Sequence, residues 1–254
     1  MDFSVCLSIL AKNYELILNG IETTLIIAIS GTLIGLLIGL LVGGVKAITL
    51  DYNASTFAKV MKKIYDVLSK AYIEVFRGTP MMVQAVFIYY LVYTNIVQWD
   101  KMVAAIFVVS INTGAYMAEI IRSGIQSIDK GQIEAGRALG LTNMQTMMNI
   151  ILPQAIKNAF PAIGNELIVN IKDSSVLSII SITELMFVSR SIAGGNYKFT
   201  ETYFITACVY LCLTLIASFI LHLIEKKLRN NNRVTSLPQS DTDPSNMNVI
   251  EGEK

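Results

Sequence analysis

The sequence predicts an all-α integral membrane fold of five transmembrane helices, with the N-terminus outside and the C-terminus cytoplasmic. The composition points there first. Of 254 residues 53% are hydrophobic, only 15% are charged, and mean hydropathy is +0.55, whereas a soluble domain carries about a quarter charged residues. Five apolar runs of spanning length follow one another along the chain. The basic residues then divide unequally between the loops those runs would leave, which sets the orientation. A net charge of +1 excludes the strong basic field of a nucleic-acid binder.

Residues 1–20 read as an extracytoplasmic segment. Asp2 and the lack of an early basic cluster argue against a cleavable leader, and the first apolar run is too long for one. The first span covers residues 21–45 and carries Gly31, Gly35, Gly39 and Gly43. Glycines four apart share one helix face and admit a close neighbour, within the bundle in preference to a dimer seam. In residues 55–70, STFAKVMKKIYDVLSK, a helix would align Phe57, Val60, Ile64 and Val67. Such a helix lies at the membrane interface or extends the second span, or the lysines merely fix topology.

The second span covers residues 71–93. Gly78-Thr79-Pro80 should kink or restart it just inside the membrane. Arg77 could pair with Glu74, and Gln84, deeper, could contact a solute. The third span, residues 102–121, sets Asn112, Tyr116 and Glu119 on one stripe, with Glu119 positioned to pair with Arg122. The fourth, residues 162–182, is the least apolar. The fifth, residues 203–224, carries Cys208 and Cys212 as small packing residues and ends near the sole histidine, His222, read as structural. From residue 229 the chain turns polar and reads as a disordered cytoplasmic tail.

With the N-terminus outside, fourteen of the 20 Lys and Arg residues fall in the inner loops and tail. Four (Lys12, Lys101, Arg190 and Lys198) fall outside, and Arg77 and Lys172 fall within spans. The segment between the third and fourth spans, residues 123–160, is thereby cytoplasmic.

No Walker A pattern, no H-E-x-x-H, no G-x-S-x-G and no paired-cysteine motif occurs, so the chain presents no catalytic residues and no metal site. Work against a gradient would draw on an ion or a partner. Glu166, Asn170 and Asp173 stand at i, i+4 and i+7 in GNELIVNIKDSSVLSII, on one helix face and about 10 Å end to end. Ionisable groups at membrane depth are costly and normally face a cavity or a partner. With Asn112 and Gln84 they form the candidate solute-binding set. The alternative is that the two acids only balance Lys172 and Arg77 or face water.

The cytoplasmic segment EAGRALGLTNMQTMMNIILP fits the pattern E-A-A-x3-G-x9-I-x-L-P, with Gly136 in place of the second alanine. It resembles the EAA loop of the membrane subunits of ABC importers. YIEVFRGTPMMVQAVFIYY, GAYMAEIIRSGIQSIDKGQIEAGRALG and LPQAIKNAFPAIGNELIVNIKDSSVLS look like the polar amino acid branch, the histidine/glutamine/arginine permease type. Residues from about 14 to 228 are covered. The resemblance implies a type I importer permease fold over residues 21–228, a dimer of permeases (identical or not) in a bacterial inner membrane, and a soluble amino-acid-binding protein outside. It also implies a cytoplasmic ATP-binding subunit that holds ATP and Mg, with no cofactor in this chain and no nucleic acid. Glu166 and Asp173 become candidates for contacts to the amino acid. Glu134, Ala135, Gly136, Arg137, Gly140 and Pro153 become the coupling residues. The loop should form one short helix over residues 130–142 with Gly140 as its stop, then a second, N-capped by Thr142 or Asn143, ending before Pro153. An ion-gradient-driven carrier or channel subunit, and a non-transporting scaffold that tethers an ATPase, are the alternative functions.

Overall fold

A computed structural model describes residues 2–48, 50 and 54–233, the last five by backbone alone. Every regular element among the described residues is a helix, with no strand. The N-terminal segment and first span form one helix, α1 (Phe3–Ala47). It bends at Asn13, whose side chain donates to the Ile9 carbonyl at 2.8 Å. The expected outer segment therefore continues the helix at an angle and does not form a separate coil.

Next come α2 (Thr56–Gly78), α3 (Met81–Asn95), α4 (Lys101–Gln126) and two short helices, α5 (Lys130–Ala138) and α6 (Asn143–Thr146). A π-helical turn, Met147–Ile151, leads into α7 (Leu152–Asp173). A 3-10 stretch, Ser174–Ile180, precedes α8 (Leu185–Asn196) and α9 (Phe199–Arg233). By length and composition α1, α4 and residues 199–228 can each cross a membrane. Two bent pairs qualify only when taken together: α2 with α3, bent by 112°, and residues 143–180 with α8, bent by 56°. The tail expected to be disordered lies, from residue 234, outside the described residues; α9 runs helical to Arg233.

The core is built on four of the six glycines of α1, Gly31, Gly35, Gly39 and Gly43. All four are buried, and they meet α4 in a parallel register: Gly31 on Val109, Gly35 on Thr113, Gly39 on Met117 and Gly43 on Ala118. A methyl group on Gly35 would stand 2.8 Å from the Thr113 Cβ, closer than real Cβ contacts come. The stripe is thus used within the chain, bringing two backbones together. Apolar residues of α4 fill both sides of this seam, Val108 and Val109 toward α3, Met117 and Ile121 toward α7.

The second expected span proves to be two helices. Thr79 Oγ1 donates to the Val75 carbonyl at 2.8 Å, and Pro80, which has no N–H, opens α3. The α2 face with Phe57, Val60, Ile64 and Val67 is exposed, while Tyr65 on the opposite side donates to the carbonyl of Val42 at 3.0 Å. Cys208 and Cys212 do share α9, but both are exposed, so the packing role read for them is not met within this chain. His222 is exposed as well.

At the far end, Glu184 is fully buried. Its carboxylate caps α8, accepting from the amides of Met186 and Phe187 at 2.7 Å each and from Tyr210 Oη at 3.1 Å. This converts a costly buried charge into a pin between α8 and α9.

Gly35→Val should destabilise the chain by about 2 kcal/mol or more through overpacking of the α1–α4 seam. Gly44→Val, with nothing within 4 Å of its Cβ position, should be close to neutral. Thermal unfolding of the two detergent-solubilised variants separates them.

Candidate functional site

The break between α2 and α3 matters because of what surrounds it. A cavity of about 490 Å³ opens there, walled by Arg77 to Met81, by Asn112 and Tyr116 of α4, and by Glu166, Asn170 and Asp173 of α7. A second cavity of about 420 Å³ runs toward the loop end of the bundle, past Glu119, Ser123, Ser127 and Asn158. Arg77, Tyr116 and Glu166 line both. These three form the waist of a polar path from the α2–α3 break toward the loop.

The helix period places Glu166, Asn170 and Asp173 on one wall, as their spacing requires. Their environments differ. The two carboxylates make no hydrogen bond or ion pair among the described residues and open to the cavity. Asn170 is 3% exposed, with its amide already engaged. Its Nδ2 donates to Thr32 Oγ1 at 2.8 Å, and its Oδ1 accepts from Thr113 Oγ1 at 3.1 Å. It ties α7 to α1 and α4.

Gln84 is similarly committed, and Asn112 is so through its Nδ2. Gln84 Nε2 donates to the carbonyls of Phe76 and Thr79 at 2.9 and 3.0 Å, and to Thr79 Oγ1 at 2.8 Å. Asn112 Nδ2 donates to Gln84 Oε1 at 2.9 Å and to the Phe76 carbonyl at 3.2 Å. These bonds satisfy the backbone freed where the helix breaks. Gln84 does not line the cavity.

Arg77 does, and the expected Arg77–Glu74 pair does not form. Glu74 lies 3.7 Å from Lys70, and the Arg77 guanidinium sits 5.3 Å from the centre of the Tyr116 ring. Among the described residues Arg77 makes no hydrogen bond or ion pair. The break carried the signal for this position: an arginine in the last turn before Gly-Thr-Pro ends at the opening the break creates. The Glu119–Arg122 pair forms as expected.

The loop beyond α4 follows its sequence closely up to Thr146. Asp129 caps α5 by accepting from Gly131 N at 2.7 Å. Gly140, at φ +76°, closes α5 in a Schellman arrangement: Leu141 N reaches the Gly136 carbonyl at 3.1 Å and Gly140 N the Arg137 carbonyl at 2.9 Å. Thr142 and Gln145 form a reciprocal capping box. Gly136 is buried, and a methyl group there would meet Thr146 Cγ2 and Oγ1 at 2.7 Å. Glu134, Ala135 and Arg137 are exposed, as is Leu139 at 77%.

The helix that starts at Thr142 was expected to end before Pro153, and here the structure differs. A π turn over Met147–Ile151 shifts the hydrogen-bond register, with Leu152 N bonding the Met147 carbonyl. Pro153 thus enters the first turn of α7, where its missing N–H is tolerated. Gln154 Nε2 donates to the Ile150 carbonyl at 2.8 Å. The chain consequently runs as helix from the loop into the cavity wall.

Residues 52–230 match the family described as binding-protein-dependent transport system inner membrane component. The chain is 41% identical over 160 residues to the glutamine transport system permease protein GlnP of Escherichia coli (strain K12), covering 62% of this chain and 73% of that one. It is 35% identical over 234 residues to the arginine transport system permease protein ArtQ of Bacillus subtilis (strain 168), covering 91% and 99%. Among solved structures, a crystal structure of an amino acid ABC transporter with histidines superposes with a TM-score of 0.76. The identity is 36%, over 89% of this chain and 99% of that one.

Asn170→Leu should lower stability by about 1–3 kcal/mol, because it strands the hydroxyls of Thr32 and Thr113 in the core. Gly136→Ala should loosen the loop, and Thr146→Ala in the same chain should restore it, since both atoms that collide belong to the Thr146 side chain. Thermal melts check the first; protease sensitivity of the loop in the single and double variants checks the second.

Proposed function

Because the chain belongs to the binding-protein-dependent transport system inner membrane component family, we propose that it is the permease subunit of an ATP-driven importer of polar amino acids. The single observation that carries this reading is the continuous α7. One end of that helix joins the exposed loop, and the other presents Glu166 and Asp173 to a cavity of about 490 Å³.

In this reading five spans cross a bacterial inner membrane, with the N-terminus outside and the loop in the cytoplasm. The two bent pairs each count as one broken span. Broken helices around a mid-bundle site recur in transporters because the break frees backbone and side chains to face the solute. Glu166 and Asp173 contact the amino acid. Asn170 and Gln84 hold the walls that position them, since both ends of each amide are engaged, whereas Asn112 gives its Nδ2 to the wall and turns the rest of its amide to the cavity as a further solute contact.

Glu134, Ala135, Gly136, Arg137 and Gly140 dock a cytoplasmic ATPase, which binds ATP and Mg; Pro153 passes the motion into α7. The exposed Leu139 and Met144 add apolar surface to that docking face. A second permease, of the same or another sequence, completes the path, and a soluble binding protein delivers the amino acid outside. Movement of the loop as a rigid unit then tilts α7 and alternates access to the cavity.

Reconstitution tests the reading. Vesicles containing this chain with its ATPase and binding protein should accumulate a labelled polar amino acid only when ATP is hydrolysed. Uptake driven by a proton gradient in the chain alone would overturn it. Glu134→Lys should cut ATP-driven uptake roughly tenfold or more by reversing a charge at the docking face, while thermal stability stays unchanged. Uptake equal to the parent would remove Glu134 from the interface.

A further inference from the structure

A third cavity, of about 580 Å³, lies at the bend of α1, between that helix and the end of α8 with the turn that follows it. Because α1 runs parallel to α4, this is the end of the bundle away from the α5–α6 loop. The walls combine two chemistries. Ile9, Leu16 and Ile192 supply apolar surface, and Leu16 is 52% exposed. Lys12 comes from α1 and Lys198 from the turn, and among the described residues no carboxylate lines the space. Both lysines are exposed, and neither ammonium has a hydrogen bond or ion pair among the described residues. Local backbone sets their places. Asn13 spends its Nδ2 on the Ile9 carbonyl at 2.8 Å where α1 bends. Asn196 Oδ1 accepts from the Lys198 amide at 2.7 Å across a turn closed by Tyr197 at φ 55°. That leaves Asn196 Nδ2 as a third donor on the lining.

The height of the cavity follows from α9. Its membrane-crossing stretch, residues 199–228, has 30 residues, about 45 Å at 1.5 Å per residue, which equals a bilayer with both headgroup layers. Lys226 and Lys227 mark one end of that stretch and Lys198 adjoins the other. Lys198 therefore stands at headgroup level, and Leu16 lies one helix turn from Lys12 on the side of the hydrocarbon. We propose that this cavity binds one phospholipid with an anionic headgroup, its phosphate between the Lys12 and Lys198 ammoniums and an acyl chain against Leu16 and Ile192. Two unpaired cations and a free amide N–H give the phosphate charge-assisted hydrogen bonds. The open apolar wall beside them gives an acyl chain a surface that a free phosphate cannot use. The proposal rests on α9 crossing a membrane and not on what the protein carries.

Photolabelling of the full chain in phosphatidylcholine vesicles tests this. A phosphatidylglycerol probe with a diazirine on its acyl chain should label residues 5–16 and 191–198 roughly tenfold or more above the matching phosphatidylcholine probe. The double variant Lys12→Gln with Lys198→Gln should remove that excess, while labelling elsewhere on the chain persists. Lys12→Arg with Lys198→Arg should retain it, because the charge is kept. Since both lysines are exposed, all four substitutions should leave thermal unfolding unchanged.

Equal labelling of these residues by the two probes, or an excess that survives the double glutamine variant, would overturn the proposal. Displacement of the probe by millimolar inorganic phosphate at constant ionic strength would make this a plain anion site and overturn the lipid. Loss of labelling on addition of the soluble binding protein would assign the cavity to that partner and overturn it as well. None of these outcomes bears on ATP-driven uptake, so the transport reading stands or falls separately.

Discussion

The closeness of α1 and α4 governs the rest of the molecule. Four glycines let α4 sit where side chains would otherwise hold it off, and Val109, Thr113, Met117 and Ala118 occupy the space. With the two helices in register and parallel, every α4 residue has a fixed height and direction. Asn112 and Tyr116 then meet the α2–α3 break, and Glu119 and Ser123 meet the second cavity. A bulkier α1 would push α4 outward and part Thr113 from Asn170 of α7.

A small polar network reinforces that seam. Thr32 of α1, Thr113 of α4 and Asn170 of α7, all buried, meet through two hydrogen bonds. A second network, through Gln84 and Asn112, holds the broken ends of α2 and α3. In a low-dielectric core such satisfied networks specify one arrangement over near alternatives. The cavity is therefore walled by committed amides and furnished with uncommitted charges. Residues of similar polarity on one stripe do different work, according to whether a partner lies within reach.

Much of this was legible in the chain itself. Glycines at spacing four announced the close pair, Gly78-Thr79-Pro80 announced the break, and Gly140 and Thr142 announced the ends of the loop helices, because each signal is local chemistry acting on neighbouring backbone. The carboxylates of Glu166 and Asp173 were legible as a stripe for the same reason. What periodicity could not supply was the state of each polar group once packed. Asn170, Gln84 and Asn112 look alike as solute ligands in sequence, yet partners from elsewhere in the chain, Thr32, Thr113 and the Phe76 carbonyl, take up the amides of Asn170 and Gln84, while Asn112 gives only its Nδ2 and still lines the cavity. Arg77 could pair with Glu74 on local spacing, yet its guanidinium lies over Tyr116, far away in sequence. Pro153 misled for a related reason: a proline reads as a stop, whereas a register shift just before it lets the helix go on.

That continuation gives the molecule a lever. α7 is 22 residues long, about 33 Å at 1.5 Å per residue. With its base at the loop and Asp173 at its tip, a tilt of about 5° displaces the tip by roughly 3 Å, the length of a hydrogen bond. Along that run the hydrogen-bond ladder is altered at two places, the π turn over Met147–Ile151 and Pro161 inside α7, and these decide how much of a tilt at the loop reaches the charges that line the cavity.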